Sequence, residues 1–145
     1  MKQTKIDLSD ERRIIANVIM NTELLRRVFS LLHVDLFGGR VSKIVIRWII
    51  DYYDHTGEAP QRDVKEIYLQ RKHELKDEDF LNDLSDFLSR LSDDWESLKI
   101  KNITYAEKQV VTFLKLQSLK KLKNNIENAV ESKRPELGEQ ECVHQ

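Results

Sequence analysis

The feature that most limits what this chain can fold into is a stretch of thirty residues, 103–132, that contains neither glycine nor proline. Its apolar residues recur every three or four positions, which is the period of an α-helix and not of a strand. A continuous helix of this length would be roughly 45 Å long. The stretch therefore predicts one long helix near the C-terminal end, with order ending at Pro135 and Gly138.

The rest of the 145 residues share this bias, with only four glycines and two prolines in the whole chain. The strongest of the shorter helical patterns runs from Val41 to Tyr53 and ends at Gly57, with Pro60 to prevent continuation. The other predicted elements are a helix starting at Ser9, a helix over 24–32 after a break at Asn21-Thr22, a tight connection at 34–37, helices starting near Gln61 or Arg62 and near Lys76 or Asp77, and a short turn around Trp95 and Leu98.

These elements predict an all-α fold, a compact bundle of about five or six helices followed by a long C-terminal helix. We expect residues 1–100 to form a helical N-terminal domain and residues 101–134 to form a linker-type helix. Residues 135–145 are expected to be a disordered tail.

The two halves of the long helix differ in how their apolar residues are placed. The first half is apolar almost all round, with Tyr105, Val110, Val111, Phe113 and Leu114. The second half carries a single stripe, and its members are candidate partner-docking residues: Leu116, Leu119, Leu122, Ile126 and Val130. Such a helix is expected to leave the body and to need a partner for its stripe. The alternative is that the stripe packs on its own domain.

Charge is balanced overall, with 24 lysines and arginines against 25 aspartates and glutamates, but it is unevenly placed. Residues 74–96 are mainly acidic and residues 99–134 mainly basic. One interpretation is that the two faces attract each other within the fold, and the other is that they meet different partners. The balance argues against a protein held on DNA by phosphate neutralisation alone.

One cysteine, Cys142, excludes a disulfide within the chain and favours a reducing compartment. The polar N-terminus shows no signal peptide, and no apolar run approaches the length of a membrane span. We therefore expect a cytoplasmic protein with no membrane partner.

Motifs that carry chemistry are missing from the sequence. It has no phosphate loop and no glycine-rich dinucleotide motif. The lone Gly38-Gly39 pair favours a turn over an anion site. Cys142 and His144 lie near the chain end, the other histidines lack ligand spacing, and the carboxylates at helix starts, Glu11 among them, are explained by capping and the helix dipole. We expect no metal, no cofactor, no catalytic residue and no enzyme activity of its own.

Direct DNA binding is a separate possibility, with Arg12-Arg13 and Arg26-Arg27 as candidate phosphate contacts. A recognition helix is short and basic, whereas the most basic stretch here, 115–123, lies inside the long helix. A small helical DNA-binding regulator therefore stays an alternative.

Four segments of the sequence resemble the N-terminal domain of DnaB-type replicative DNA helicases, especially the forms carried by phages. They are the run 11–25 with Glu23-Leu24-Leu25, the loop Val34-Asp35-Leu36-Phe37, the helix over 44–53 with Tyr52-Tyr53, and Gly57-Glu58-Ala59-Pro60. The resemblance covers about the first half of the chain, and the long last helix occupies the place of the family's linker helix. The family's ATPase motor, with its phosphate loop, is missing.

The resemblance implies an oligomerisation and partner-docking module in DNA replication. Its implied partners are further copies in a dimer or ring, a primase or helicase loader, and a helicase motor domain, with DNA contacted only indirectly. The alternative within the same resemblance is a stand-alone phage or plasmid accessory protein that modulates a helicase.

Overall fold

A computed structural model describes the backbone of residues 8–94 and 102–144 and the side chains of residues 10–91, 93 and 102–130. Both backbone ranges are helical with short connections, and neither contains a strand. The α-helices are α1 (Leu8–Met20), α2 (Thr22–Val28), α3 (Arg40–Thr56), α4 (Asp63–Arg71), α5 (Glu78–Asp94) and α6 (Ile103–His144). Short 3-10 helices cover Phe29–Leu31, Val34–Leu36 and Lys72–Glu74. The predicted all-α class is confirmed, while the turn predicted around Trp95 and Leu98 lies outside the described residues.

Helix α1 lies at the centre of the bundle, in contact with α2, α3, α5 and α6. Its apolar residues occupy more than one face, so neighbouring helices can cover it from several sides. The buried members are Ile14, Ile15, Ala16, Val18 and Ile19. Leu8, the first residue that the structure describes, is already helical, and the side chain of Ser9, the predicted cap, lies outside those described.

The predicted break between the first two helices is confirmed at Asn21. Its side-chain oxygen accepts a hydrogen bond of 2.9 Å from the backbone N–H of Leu24, which caps the start of α2. The predicted second helix was one element over 24–32. The structure instead ends α2 at Val28 and tightens the next turn into the 3-10 helix Phe29–Leu31.

Helix α3 ends in a turn at Gly57, as the sequence predicted. Gly57 has φ of 74°, in the left-handed region, and its N–H donates to the carbonyl of Tyr53 at 2.8 Å. The hydroxyl of Thr22 then accepts a hydrogen bond of 3.0 Å from the backbone N–H of Ala59. The turn after α3 is thereby fastened to the start of α2.

Helix α5 is capped by Asp77, close to the start that the sequence predicted. The Asp77 carboxylate accepts hydrogen bonds from the backbone N–H groups of Asp79 and Phe80, at 3.0 and 3.2 Å. The helix packs against α1 and α3. Its buried stripe consists of Phe80, Leu84, Leu88 and Leu91.

Helix α6 is longer than the sequence predicted. Its backbone continues through Pro135 to His144, where we expected the helix to end at Pro135. A proline inside a helix removes one hydrogen bond and costs about 3 kcal/mol, which does not forbid continuation. None of the described helices is both long enough and apolar enough to cross a membrane.

Candidate partner-docking face

The five predicted docking residues all lie exposed on α6. Their exposed fractions are 46% for Leu116, 65% for Leu119, 56% for Leu122, 55% for Ile126 and 48% for Val130. Large apolar side chains exposed in a continuous row mark interaction surfaces more often than they mark ordinary protein surface. The alternative, in which this row packs on its own domain, is not what the structure shows. We call these five residues the α6 stripe.

The α6 stripe lies on the opposite side of the helix from the residues that pack on the body. The body-facing side is formed by Ala106, Val110 and Leu114, all buried. Leu119 follows Val110 by nine residues, which at about 100° per residue is half a turn of rotation. The body therefore cannot cover the stripe without α6 turning over, and only a second surface approaching from outside can bury it.

Tyr105 belongs to the outward side as well, although the sequence pattern placed it in a half buried all round. It is 61% exposed. The first half of α6 is thus buried on one broad side only, because the helices of the body approach it from one direction. Around the helix axis, Tyr105 lies within about 40° of Leu119. Tyr105 therefore extends the exposed apolar side toward the start of α6.

Helix α6 is held to the body by α1, α2 and the 3-10 turn Val34–Leu36. The rings of Phe37 and Phe113 meet with their centroids 5.8 Å apart. Further along, the side-chain amide of Gln117 donates to the backbone carbonyl of Leu36 at 3.4 Å. These contacts run along the body-facing side of α6 and leave its outward side free.

The last described contact between α6 and the body is an ion pair. The ammonium of Lys121 lies 3.2 Å from the Asp35 carboxylate. The hydrogen bond and charge of Lys121 lower the pKa of Asp35 below its ordinary value. Every residue from 118 to 130 is exposed. The helix therefore leaves the body near Lys121, as the sequence predicted, and the stripe continues along the part that stands free.

At the other end of the contact, Arg27 on α2 lies 3.1 Å from the Glu107 carboxylate on α6. Arg27 also donates to Glu23, one turn earlier on its own helix. These two hydrogen bonds raise the pKa of Arg27. Glu23 accepts a second hydrogen bond, from Arg26, and Arg13 pairs with Asp10 at 3.3 Å. These three predicted phosphate contacts are therefore engaged by carboxylates of the same chain.

The acidic and basic segments carry their characteristic charges, the carboxylates of residues 74–96 and the lysines of residues 99–134, on side chains that are exposed where the structure describes them. Among the described residues no ion pair joins α5 to α6. No described ion pair therefore supports the interpretation in which the two faces attract each other within the domain. The exposed lysines that border the α6 stripe are Lys108, Lys115, Lys120 and Lys123.

The Gly38-Gly39 pair binds an anion, but the anion belongs to the chain itself. The Glu11 carboxylate accepts a hydrogen bond of 2.6 Å from the N–H of Gly38 and a longer one of 3.4 Å from the N–H of Gly39. Glu11 is only 1% exposed. The helix dipole of α1 does not by itself account for Glu11, because its carboxylate is buried and is hydrogen-bonded to the backbone just before α3.

Among the side chains that the structure describes, no three potential metal-binding groups cluster together. The side chains of Cys142 and His144, for which the sequence predicted no metal site, lie outside those described. Comparison of the chain with models of known protein families, with curated proteins and with solved structures finds no significant match.

Proposed function

We propose that this chain is a protein-interaction module that assembles with further copies of itself and docks protein partners in a replicative DNA helicase complex. The single observation that carries the docking role is the α6 stripe, which is exposed and faces away from the body. The assignment to a helicase complex is supported by the resemblance in residues 11–25, 34–37, 44–53 and 57–60. The module acts by binding, and its partners are a second copy, a primase or loader, and a helicase motor domain.

The division of α6 suits such a role. Its first part is fixed to the body through Phe113, Gln117 and Lys121. Beyond Lys121 the helix backbone continues to His144, a length of roughly 35 Å at 1.5 Å per residue, and its residues through Val130 are exposed. A helix anchored at one end presents its stripe in a defined direction, so little conformational freedom is lost when a partner binds.

The energy available from the α6 stripe is of the size that reversible complexes use. Burying a fully exposed leucine or isoleucine side chain stabilises by about 1.5–3 kcal/mol, so a half-exposed one contributes roughly 1 kcal/mol. Five such side chains on each of two partners offset a large part of the about 4–15 kcal/mol that association costs. We therefore expect complexes with micromolar dissociation constants.

Two binding measurements test the proposal. Light scattering coupled to size-exclusion chromatography should show the mean mass rising with protein concentration through the micromolar range. Isothermal titration calorimetry, with the chain titrated into the purified motor domain of a DnaB-type helicase, should show saturable binding. A monomer at high concentration that also fails to bind the motor domain would contradict the proposal.

A further inference from the structure

Three residues of the α6 stripe, together with the neighbouring Ala129, have the spacing of a helix that pairs with another helix. Leu119, Leu122, Ile126 and Ala129 follow at intervals of three, four and three residues, which is the alternation of a coiled-coil seam. All four are exposed. Leu116 and Val130 flank the seam on the same side and widen it. A seam of this form is best covered by a second helix lying nearly parallel or antiparallel to it.

The charges along α6 decide between the two orientations. Residues 108–123 contain five lysines and no acidic residue, whereas residues 125–140 contain four glutamates against one lysine and one arginine. A parallel pair would set the five lysines of one copy beside the five of the other, which is unfavourable. An antiparallel pair sets the lysine-rich segment of each copy beside the glutamate-rich segment of the other.

We infer that α6 is the contact between two copies of this chain, and that the two helices run antiparallel. The inference rests on the self-association in the proposed function and specifies its surface and geometry. The register that matches the seam places Leu122 against Ile126 of the second copy and Leu119 against its Ala129. Leu116 then flanks Val130 of the second copy, so every member of the α6 stripe gains an apolar neighbour.

The body leaves room for this arrangement. It touches α6 only through the side that carries Ala106, Val110 and Leu114, opposite the seam. In the antiparallel register the free end of each helix lies along the outward side of the other copy's anchored part. The two bodies are then at opposite ends of the pair, on outer sides, where they do not meet.

Disulfide cross-linking tests the orientation and the register on the full-length chain. Single-cysteine variants Leu119→Cys and Ala129→Cys are made on a Cys142→Ser background with two different tags, mixed, and oxidised gently. In the antiparallel pair, two copies of position 119 lie about 15 Å apart along the axis. A disulfide requires Cα atoms about 4.4–6.8 Å apart, so only the mixed 119–129 disulfide should form.

We expect the mixed 119–129 disulfide at about tenfold the yield of the 119–119 disulfide, and a matching excess for Leu122→Cys mixed with Ile126→Cys. The control mixes Leu119→Cys with Asn128→Cys, whose position is on the opposite side of α6, and should give no mixed product. Circular dichroism of each variant before oxidation checks that it is folded.

Each other outcome has a definite meaning. A predominant 119–119 disulfide would show parallel helices and overturn this inference while leaving the proposed function intact. If light scattering shows a dimer but no disulfide forms at any of these positions, the two copies meet elsewhere. That result would also overturn this inference and leave the proposed function intact. A chain that stays monomeric overturns this inference, and its binding to the helicase motor domain then decides whether the docking part of the proposed function stands.

Discussion

The Glu11 carboxylate on α1 accepts a 2.6 Å hydrogen bond from the backbone N–H of Gly38, 27 residues further along the chain. This bond joins the central helix to the loop that starts α3, and it lies next to the turn Val34–Leu36 on which α6 packs. The Glu11–Gly38 hydrogen bond therefore stabilises the loop that follows the turn Val34–Leu36, and this turn supports α6.

Replacing Glu11 by alanine should destabilise the fold by about 2–3 kcal/mol, because the hydrogen bonds that the buried Glu11 carboxylate accepts from the N–H groups of Gly38 and Gly39 are lost. Urea denaturation followed by circular dichroism measures the change. Glu23→Ala is the control, since Glu23 is an exposed carboxylate with two arginine partners and should cost less than about 1 kcal/mol. Equal losses for the two variants would contradict the role assigned to Glu11.

The two sides of α6 should respond differently to truncation. Leu114 is 1% exposed, so Leu114→Ala should cost about 2–5 kcal/mol through lost burial and the cavity left behind. Leu122 is 56% exposed, and Leu122→Ala should change stability by less than about 0.5 kcal/mol in dilute, monomeric protein. Urea unfolding of both variants at low concentration makes the comparison. A large loss for Leu122→Ala would place the stripe in the core of its own domain.

Adding charge to the α6 stripe should weaken self-association without unfolding the body. Leu119→Asp combined with Ile126→Asp sets carboxylates at the centre of the apolar seam, where burial in an interface is unfavourable. We expect at least about a tenfold rise in the dissociation constant, measured by light scattering, with an unchanged circular dichroism spectrum.

The matched control for that variant is Asn124→Asp combined with Asn128→Asp. It adds the same two charges to the same exposed part of α6 on the opposite side, and it should leave self-association within about twofold of the unchanged chain. If both double variants dissociate equally, the effect is one of net charge and not of the stripe. If the stripe variant unfolds globally, the stripe belongs to the core.

The ion pair between Asp35 and Lys121 should stabilise the packing of α6 on the body to a degree that depends on pH. Because the folded pKa of Asp35 is lowered by Lys121, its stabilising contribution is present above the unfolded pKa and is lost as the pH falls through the folded pKa. Carboxyl NMR titration of Asp35 should show this low pKa. In Lys121→Gln the pKa should rise toward its ordinary value.

The control for the titration is salt concentration. Both side chains are largely exposed, so screening at about 1 M salt should bring the pKa of Asp35 back toward its ordinary value in the unchanged chain. An Asp35 pKa that is the same with glutamine at position 121 and at high salt would show that Lys121 is not its cause.

Local sequence determined the helical class and most helix ends. Apolar residues at helical spacing, the left-handed Gly57 and the caps at Asn21 and Asp77 act within one or two turns, so their effect is readable without a tertiary structure. The α6 stripe could be predicted from the sequence for the same reason, because it depends only on the spacing of apolar residues along one helix.

Tertiary structure alone decided which side of each helix meets a neighbour. The carboxylate of Glu11 looks like any acidic residue in a first helical turn until the fold brings Gly38 to it across 27 residues. Tyr105 and Val110 are both apolar, yet one is exposed and the other buried. That difference arises because the body approaches α6 from a single direction, and no pattern along one helix specifies the direction from which other helices will come.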